Sequence, residues 1–136
     1  MEHKAVELKE RTKRFALRII RLFRALPPCP ESRVIGYQLL RSGTSVGANY
    51  RAVCRSRSRA EFLSKLSIVI EEADETAFWL ELLTDANLVG SDRLQDLISE
   101  TNQLLAIFVA SRQTAKKGVK STINNRKSTI PEQKAS

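Results

Sequence analysis

The chain has 136 residues and a formal net charge of +8, and its few glycines (5) and prolines (4) argue against a turn-rich β fold. The N-terminus is too charged for a secretory signal and no apolar run approaches the ~20 residues that span a bilayer, so no membrane partner is expected. With only two cysteines, we expect one reduced, cytoplasmic domain that is large enough to bury a core.

The first predicted element is a helix from about Ala5 to Leu26. Apolar residues such as Phe15 and Ile19 recur on one face at helical spacing. Pro27 and Pro28 end this helix, because neither has an N–H to donate and Pro28 restricts the residue before it. The linker that follows is short, so the next helix is predicted to return antiparallel.

Helix two is predicted from about Ser32 to Arg55. Its centre, SGTSVGAN, also allows a loop, because Gly43 and Gly47 each cost up to about 1 kcal/mol relative to alanine in a helix. If the helix continues, these glycines and Gly36 become points of close contact with another helix. Apolar residues favour the helix, since they keep its period through the stretch: Leu39, Leu40, Val46, Tyr50 and Val53.

Helix three has the clearest pattern and should begin after Ser58. Ser58 and Glu61 form a capping box, in which each side chain binds a backbone N–H at the start of the helix. Gly90 is expected to end the helix and Ser91 to cap the next one. Core positions follow in alternating steps of four and three, the heptad spacing of near-parallel bundles: Phe62, Leu66, Val69, Ala73, Thr76, Leu80 and Leu83.

Helix four is predicted from about Asp92 to Thr114, after which the sequence beyond Gly118 is polar, basic and aperiodic. This composition predicts a disordered tail, so the domains are a four-helix bundle in residues 1–117 and a basic tail in residues 118–136. Four amphipathic helices with short connections indicate an all-α fold, an antiparallel up-down-up-down four-helix bundle. Helix four repeats the heptad spacing at Leu94, Leu97, Thr101, Leu104, Phe108 and Ser111.

Charge is polarised along the chain. Residues 4–24 hold eight Lys or Arg against two acids, whereas residues 61–85 hold seven acids against one Lys. Residues 112–136 carry seven Lys or Arg against one acid, which suits either unspecific nucleic-acid binding or a solubilising extension. The distribution indicates a nucleic-acid surface on one side and an acidic partner patch or salt-bridge network on the other.

The arginines are the candidate nucleic-acid ligands, because guanidinium groups pair bidentately with phosphate and stack on bases. Helix one carries four arginines at steps of three, four and three, which places them on one face. Two alternatives remain open: the arginines in and after helix two can pair with the acids of helix three, and those of helix one can form a solvated face whose aliphatic stems cover apolar edges. The candidate set is Arg11, Arg14, Arg18, Arg21, Arg41, Arg51, Arg55, Arg57 and Arg59.

No catalytic, cofactor or metal site is expected, and an enzyme is not predicted. The sequence has no glycine-rich phosphate loop, no nucleophile elbow and no Cys/His spacing typical of metal sites. Di-iron bundles need Glu-x-x-His pairs, and the only histidine in the sequence is His3. Glu72 and Glu75 are therefore expected to pair with a neighbouring Arg or Lys side chain. Ser45 and Asn49 are predicted to bond across a helix interface.

Three stretches, YQLLRSGTSVGANYR, SRAEFLSKL and EEADETAFWLELL, resemble the four-helix bundle proteins encoded in intervening sequences of bacterial 23S ribosomal RNA genes. That family also resembles the accessory variability proteins of diversity-generating retroelements. The likeness covers residues 8–112, and the chain departs from the pattern at Ala52 and Arg55, where relatives often carry acids. The most specific positions are Arg41, Ser45, Val46, Ala48, Asn49, Tyr50, Arg51, Glu61, Phe62, Glu72, Glu75, Thr76, Trp79 and Leu80.

The resemblance implies a bundle that assembles as a homopentameric barrel, with a nucleic-acid-related role and no catalytic residues. The leading hypothesis is a non-enzymatic oligomer that binds RNA or DNA as a scaffold or chaperone. A second hypothesis is an adaptor that docks a reverse transcriptase through the acids of helix three. The third is a small metalloenzyme, which the metal content after purification would decide.

Overall fold

Four consecutive helices make up the structure. The computed structural model describes residues 2–135, with side chains for residues 3–118. Residues 2–135 contain no strand, which confirms the all-α prediction and the four helices. None of these helices has the length and apolar character needed to cross a lipid bilayer. The helices are α1 (Glu2–Ala25), α2 (Pro30–Cys54), α3 (Arg59–Asp85) and α4 (Ser91–Ala135).

Each helix packs against the one before it in the sequence, whereas α1 and α4 meet only lightly. Gly36 of α2 lies against Phe23 near the end of α1, and Gly47 lies against Thr12, so these two helices run antiparallel. The arrangement agrees with an up-down bundle. We name the weakly packed boundary between α1 and α4 the open seam.

The glycines of α2 explain how closely it approaches α1. α2 runs unbroken through SGTSVGAN, which confirms the helix over the alternative loop. A Cβ atom added at Gly43 would lie 2.8 Å from Cγ1 of Ile19, and one added at Gly47 would lie 3.3 Å from the carbonyl oxygen of Thr12. Both distances are shorter than the optimal van der Waals separation, so the predicted close contacts at these glycines are confirmed.

α3 begins with half of the predicted capping box. The hydroxyl of Ser58 accepts a hydrogen bond from the backbone N–H of Glu61 at 3.1 Å. The Glu61 carboxylate accepts instead from the backbone N–H of Arg57 at 3.0 Å, one residue before the position that the box requires. Hydrogen bonds from Lys65 and from this N–H lower the pKa of Glu61. The turn before α3 is therefore fixed from both sides of the cap.

The end of α3 differs from the prediction, which placed the stop at Gly90. The residue with left-handed backbone is Asn87 (φ 59°). Its N–H donates to the carbonyl of Thr84 at 3.0 Å, and the N–H of Leu88 donates to the carbonyl of Leu83 at 3.0 Å, the paired bonds of a Schellman motif. Asparagine is among the few non-glycine residues that adopt this conformation readily, so α3 ends before the glycine.

The core is built from the predicted heptad positions of α3 and α4. Only the terminal members of the two series, Phe62 and Ser111, are half-buried. The rings of Tyr50 and Phe108 connect α2 to α4 through the centre, with 5.5 Å between their centroids. The buried heptad residues are Leu66, Val69, Ala73, Thr76, Leu80, Leu83, Leu94, Leu97, Thr101, Leu104 and Phe108.

α4 continues to Ala135, so the predicted helix end near Thr114 is wrong. Between Thr114 and Ile130 the only breaker is Gly118, and one glycine costs only about 1 kcal/mol in a helix. Ser91 is the first residue of this helix rather than the cap before it. Side chains of residues 119–136 lie outside the described residues, and the division into a bundle (1–117) and a tail (118–136) stays a prediction.

Candidate nucleic-acid interface

Arg11 is bound to α4 across the open seam. Its Nε donates to Oε2 of Glu100 at 2.9 Å and its Nη2 to Oε1 at 2.7 Å, which makes a bidentate pair. Nη2 also donates to the side chain of Gln103 at 2.9 Å. The hydrogen bond from Arg11 holds the pKa of Glu100 below its usual value. Arg11 therefore has to leave a carboxylate before it can bind a phosphate.

Arg14, Arg18 and Arg21 continue along the same side of α1, and we name them the α1 stripe. Arg14 and Arg21 are exposed and Arg18 is half-buried. Among the described side chains, none of the three forms an ion pair. Arg18 and Arg14 are close enough to Glu100 that their charges help to lower its pKa. The stripe thus borders the open seam near Glu100, which is itself paired with Arg11.

The side chain of Arg41 extends from α2 to α3, where it pairs with two acids. Its Nη2 is 2.5 Å from Oε2 of Glu75, and its Nη1 is 3.3 Å from Oε2 of Glu72. The indole N–H of Trp79 donates to Glu75 at 3.4 Å. The sequence analysis left open whether arginines pair with the acids of helix three, and Arg41 does so. Glu72 and Glu75 therefore have the expected role of pairing with a basic side chain.

Arg51, Arg55, Arg57 and Arg59 surround the turn between α2 and α3, and we name them the turn cluster. All four are exposed. The guanidinium of Arg59 lies against Gly118 of α4. The other three side chains form no ion pair within the described part of the chain. Because Arg59 touches Gly118, the two exposed lysines that precede this glycine lie at the same end of the molecule.

The α1 stripe and the turn cluster lie toward opposite ends of the bundle. Gly47 packs against Thr12, so these two residues mark the same level. Arg55 is eight residues beyond Gly47, and Arg21 is nine residues beyond Thr12 in the opposite direction. At about 1.5 Å per helical residue, they are roughly 25 Å apart along the bundle. Arg14 and Arg51 lie only two and four residues from that level, roughly 9 Å apart along the bundle, so the wide separation applies to the outer members of the two groups.

A cavity of about 460 Å³ opens between the second half of α1 and the start of α4. Arg18 and Arg21 line it from α1, and Arg93 lines it from α4. Arg93 was not among the predicted ligands, since acids flank it in the sequence and no arginine repeats at helical spacing from it. Only the approach of two helices that are distant in sequence places it beside the α1 stripe.

Ser45 and Asn49 act within α2, so the prediction that they bond across an interface is wrong. The Ser45 hydroxyl donates to the carbonyl of Arg41 at 2.6 Å, and the Asn49 amide donates to the carbonyl of Ser45 at 2.9 Å. Both side chains find a carbonyl one turn earlier on their own helix. One buried polar contact between α2 and α3 joins the hydroxyls of Ser42 and Thr76 at 2.9 Å.

The outer side of α3 presents acids to solvent. Glu71 and Asp74 are exposed and form no ion pair among the described residues, and Phe78, one turn further, is 51% exposed. Among the described side chains, no group of three or more His, Cys, Asp or Glu residues is placed to hold a metal ion. This acidic side remains a candidate surface for a basic partner.

Comparison with known proteins relates the chain to one family. The family model described as 23S rRNA-intervening sequence protein matches residues 4–110, which include both arginine groups. The chain is also similar to a crystal structure of a protein of unknown function from the S23 ribosomal protein family of Bacteroides thetaiotaomicron. Sequence identity is 33% and the TM-score 0.75, over 81% of this chain and 98% of the other. No curated protein gives a significant match.

Proposed function

We propose that this chain, which belongs to the family of 23S rRNA-intervening sequence proteins, is a non-enzymatic protein that binds RNA or DNA as an oligomeric scaffold or chaperone. The turn cluster is the observation that carries this proposal. Arg51, Arg55 and Arg57 are exposed around one turn, and no carboxylate pairs with them among the described side chains. Guanidinium groups without internal partners are available to bind phosphate.

The turn that carries these arginines is ordered before any ligand binds. The cap at Ser58 and the hydrogen bond from the backbone of Arg57 to Glu61 fix its backbone. Little conformational entropy is then lost when the arginines meet a phosphate. Each phosphate contact releases counterions, so the affinity should fall steeply as the salt concentration rises.

Binding is expected to show little sequence preference, because phosphate contacts carry no sequence information. The exposed large aromatic side chains are Tyr37 (59%) and Phe78 (51%). Tyr37 precedes Arg55 by 18 residues of the chain, which is about 27 Å along a helix. Among the described residues, the turn cluster therefore has no largely exposed aromatic side chain beside it on which bases could stack, and Phe62 near the start of α3 is half-buried.

The proposed assembly is the homopentamer that the family resemblance implies. Copies around a ring would repeat the turn cluster and add their fields, which raises the local concentration of a polyanion. Light scattering should then give about five times the chain mass of 15.3 kDa. A stable monomer in this measurement would remove the pentamer. The exposed apolar side chains that copies could cover are Val6, Leu17, Val34, Tyr37, Ile68 and Phe78.

The alternative function is an adaptor that docks a basic protein partner, such as a reverse transcriptase of a diversity-generating retroelement. It is favoured by one observation: Glu71 and Asp74, which form no ion pair among the described side chains, lie beside exposed Phe78. Acids around an apolar side chain suit a basic partner, because the charges steer the encounter and the apolar contact adds affinity. In this case nucleic-acid binding would not depend on the arginines.

The test compares the salt dependence of RNA binding in two matched triple variants. Combined Arg51→Gln, Arg55→Gln and Arg57→Gln should lower the slope of log K against log salt by about three, since three phosphate contacts are lost. The control removes the same charge from exposed side chains elsewhere and should change the slope less. Binding that is insensitive to both would favour the adaptor. The control combines Lys13→Gln, Arg24→Gln and Arg33→Gln.

A further inference from the structure

The cavity at the open seam is used by neither the turn cluster nor the acidic side of α3. We propose that this cavity binds one nucleotide through its phosphate and its base. The nucleotide can come from two sources, a free nucleoside monophosphate or the phosphorylated end of an RNA strand. For the strand end, the inference rests on the proposed function of RNA binding.

Three arginines from two helices line this cavity. Arg18 and Arg21 line it from α1, and Arg93 from α4. Among the described side chains, no ion pair holds any of the three, and the charge of Arg18 acts on Glu100 only at a distance. The acids on either side of Arg93 in the sequence do not line the cavity. The lining thus contains three arginines and no acidic residue.

The remaining wall is apolar, which distinguishes this cavity from a site for a bare anion. An inorganic phosphate would occupy the arginine rim and leave the apolar wall in contact with water. A nucleotide can place its phosphate at the rim and its flat base against the wall, and so bury apolar surface as well. The apolar lining consists of Leu22, Ala25, Leu88, Val89, Leu94 and Leu97.

Volume and charge both favour a single phosphorylated nucleotide. The cavity measures about 460 Å³, within the usual range for small-ligand sites and too small for a run of several nucleotides. A phosphate monoester carries about −1.5 to −2 charges at neutral pH, more than the single charge of an internal phosphodiester. The monoester therefore compensates three guanidinium groups better, and it occurs on free nucleotides and at strand ends.

The experiment measures binding of AMP and adenosine by isothermal titration calorimetry with the full chain. AMP should bind measurably and adenosine at least about tenfold more weakly, because the phosphate contacts are lost. Arg21→Gln and Arg93→Gln, on different helices, should each weaken AMP binding about tenfold. Arg24→Gln is the matched control, because Arg24 is exposed on α1 one turn away and does not line the cavity. Circular dichroism checks that all three variants keep the helical signal.

The source of the nucleotide is decided with short RNAs that carry either a 5′-phosphate or a 5′-hydroxyl. Displacement of AMP by the 5′-phosphorylated RNA alone assigns the cavity to strand ends, and displacement by neither RNA assigns it to free nucleotides. Equal displacement by both RNAs would overturn the preference for a phosphate monoester. Equal affinity for AMP and adenosine, or equal weakening by Arg24→Gln and Arg21→Gln, would overturn the site. If instead AMP binds but RNA binding shows no salt dependence, the proposed function fails and the cavity stands.

Discussion

The packed side of α2 and the open seam between α1 and α4 use the same residue types for different purposes. On the packed side, glycines let α2 approach α1, and Arg41 is neutralised by Glu72 and Glu75 of α3. At the open seam, one bidentate pair, Arg11 with Glu100, connects the helices and a cavity lined by arginines remains. Each region therefore holds one arginine in carboxylate pairs and leaves other arginines without an ion pair among the described side chains.

The consequence is that a count of arginines does not identify a binding surface. Arg11 and Arg41 are held by carboxylates, whereas Arg51, Arg55 and Arg57 form no ion pair among the described side chains. An arginine that is already neutralised gains less from a phosphate, because the internal pair must first be broken. The following changes test this difference between the two regions, beginning with the strongest.

The largest effect is expected from Gly43→Leu on the packed side. The new side chain would overlap Ile19, which is fully buried and β-branched and cannot move aside. Overpacking of this kind lowers the free energy of unfolding by about 1–3 kcal/mol. Gly90→Ala at the open seam is the control, because nothing lies within 4 Å of the added atom. Equal melting temperatures for Gly43→Leu and this control would refute the tight contact between Gly43 and Ile19.

Much of the packed side could be predicted from sequence, because local pattern determines it. The heptad spacing of α3 and α4 predicted the buried positions, and the glycines of α2 predicted the close contacts. The end of α3 was misplaced at Gly90 because Asn87 can adopt the left-handed backbone that glycine usually supplies. Which of the two residues ends the helix depends on the backbone hydrogen bonds that each can make. The sequence pattern does not show these hydrogen bonds.

The open seam was much less predictable, because its contacts join residues far apart in the chain. Arg11 and Glu100 are 89 positions apart, and no spacing rule connects them. Sequence reasoning considered only acids of α3 as partners for the arginines, so this pair was missed. Arg93 was missed for the same reason, since its neighbours Arg18 and Arg21 belong to another helix.

The second prediction concerns the α1 stripe. Combined Arg14→Gln, Arg18→Gln and Arg21→Gln should flatten the salt dependence of RNA binding by about two to three units of slope. The effect should be smaller than for the turn cluster, because Glu100 already attracts Arg14 and Arg18. Helical circular dichroism should not change.

Deletion of the chain after Lys117 is the comparison for this triple variant, and it should weaken RNA binding less if the folded bundle is the binding surface. Abolished binding after the deletion, together with no effect of the triple change, would place the nucleic-acid surface outside the bundle. The adaptor function would then become the leading proposal.

A smaller effect is expected at the ion pair of the open seam. Glu100→Gln should lower the free energy of unfolding at pH 7 by about 1 kcal/mol or less, as for other partly exposed pairs. Because the hydrogen bond from Arg11 lowers the pKa of Glu100 in the folded state, the contribution is complete above its unfolded value of about 4.5 and disappears as the pH falls through the lower folded value.

Urea unfolding at pH 7 and pH 3 measures this pH dependence. The stability difference between the native chain and Glu100→Gln should shrink at the lower pH. Asp96→Asn is the control, because this exposed acid of α4 forms no ion pair among the described residues, and it should leave the stability nearly unchanged. A difference that grows on acidification would contradict the pairing.

The most direct test compares Arg41→Gln on α2 with Arg55→Gln at the C-terminal end of α2. Both arginines are exposed, and among the described side chains only Arg41 of the two has carboxylate partners. RNA affinity of each variant is measured as a function of salt, with the melting temperature alongside. Arg55→Gln should lower the slope of log K against log salt by about one and leave the melting temperature unchanged. Arg41→Gln should leave the slope unchanged and lower the melting temperature slightly. Equal slopes for the two variants, or a loss of slope only in Arg41→Gln, would contradict the claim that unpaired arginines bind the phosphates.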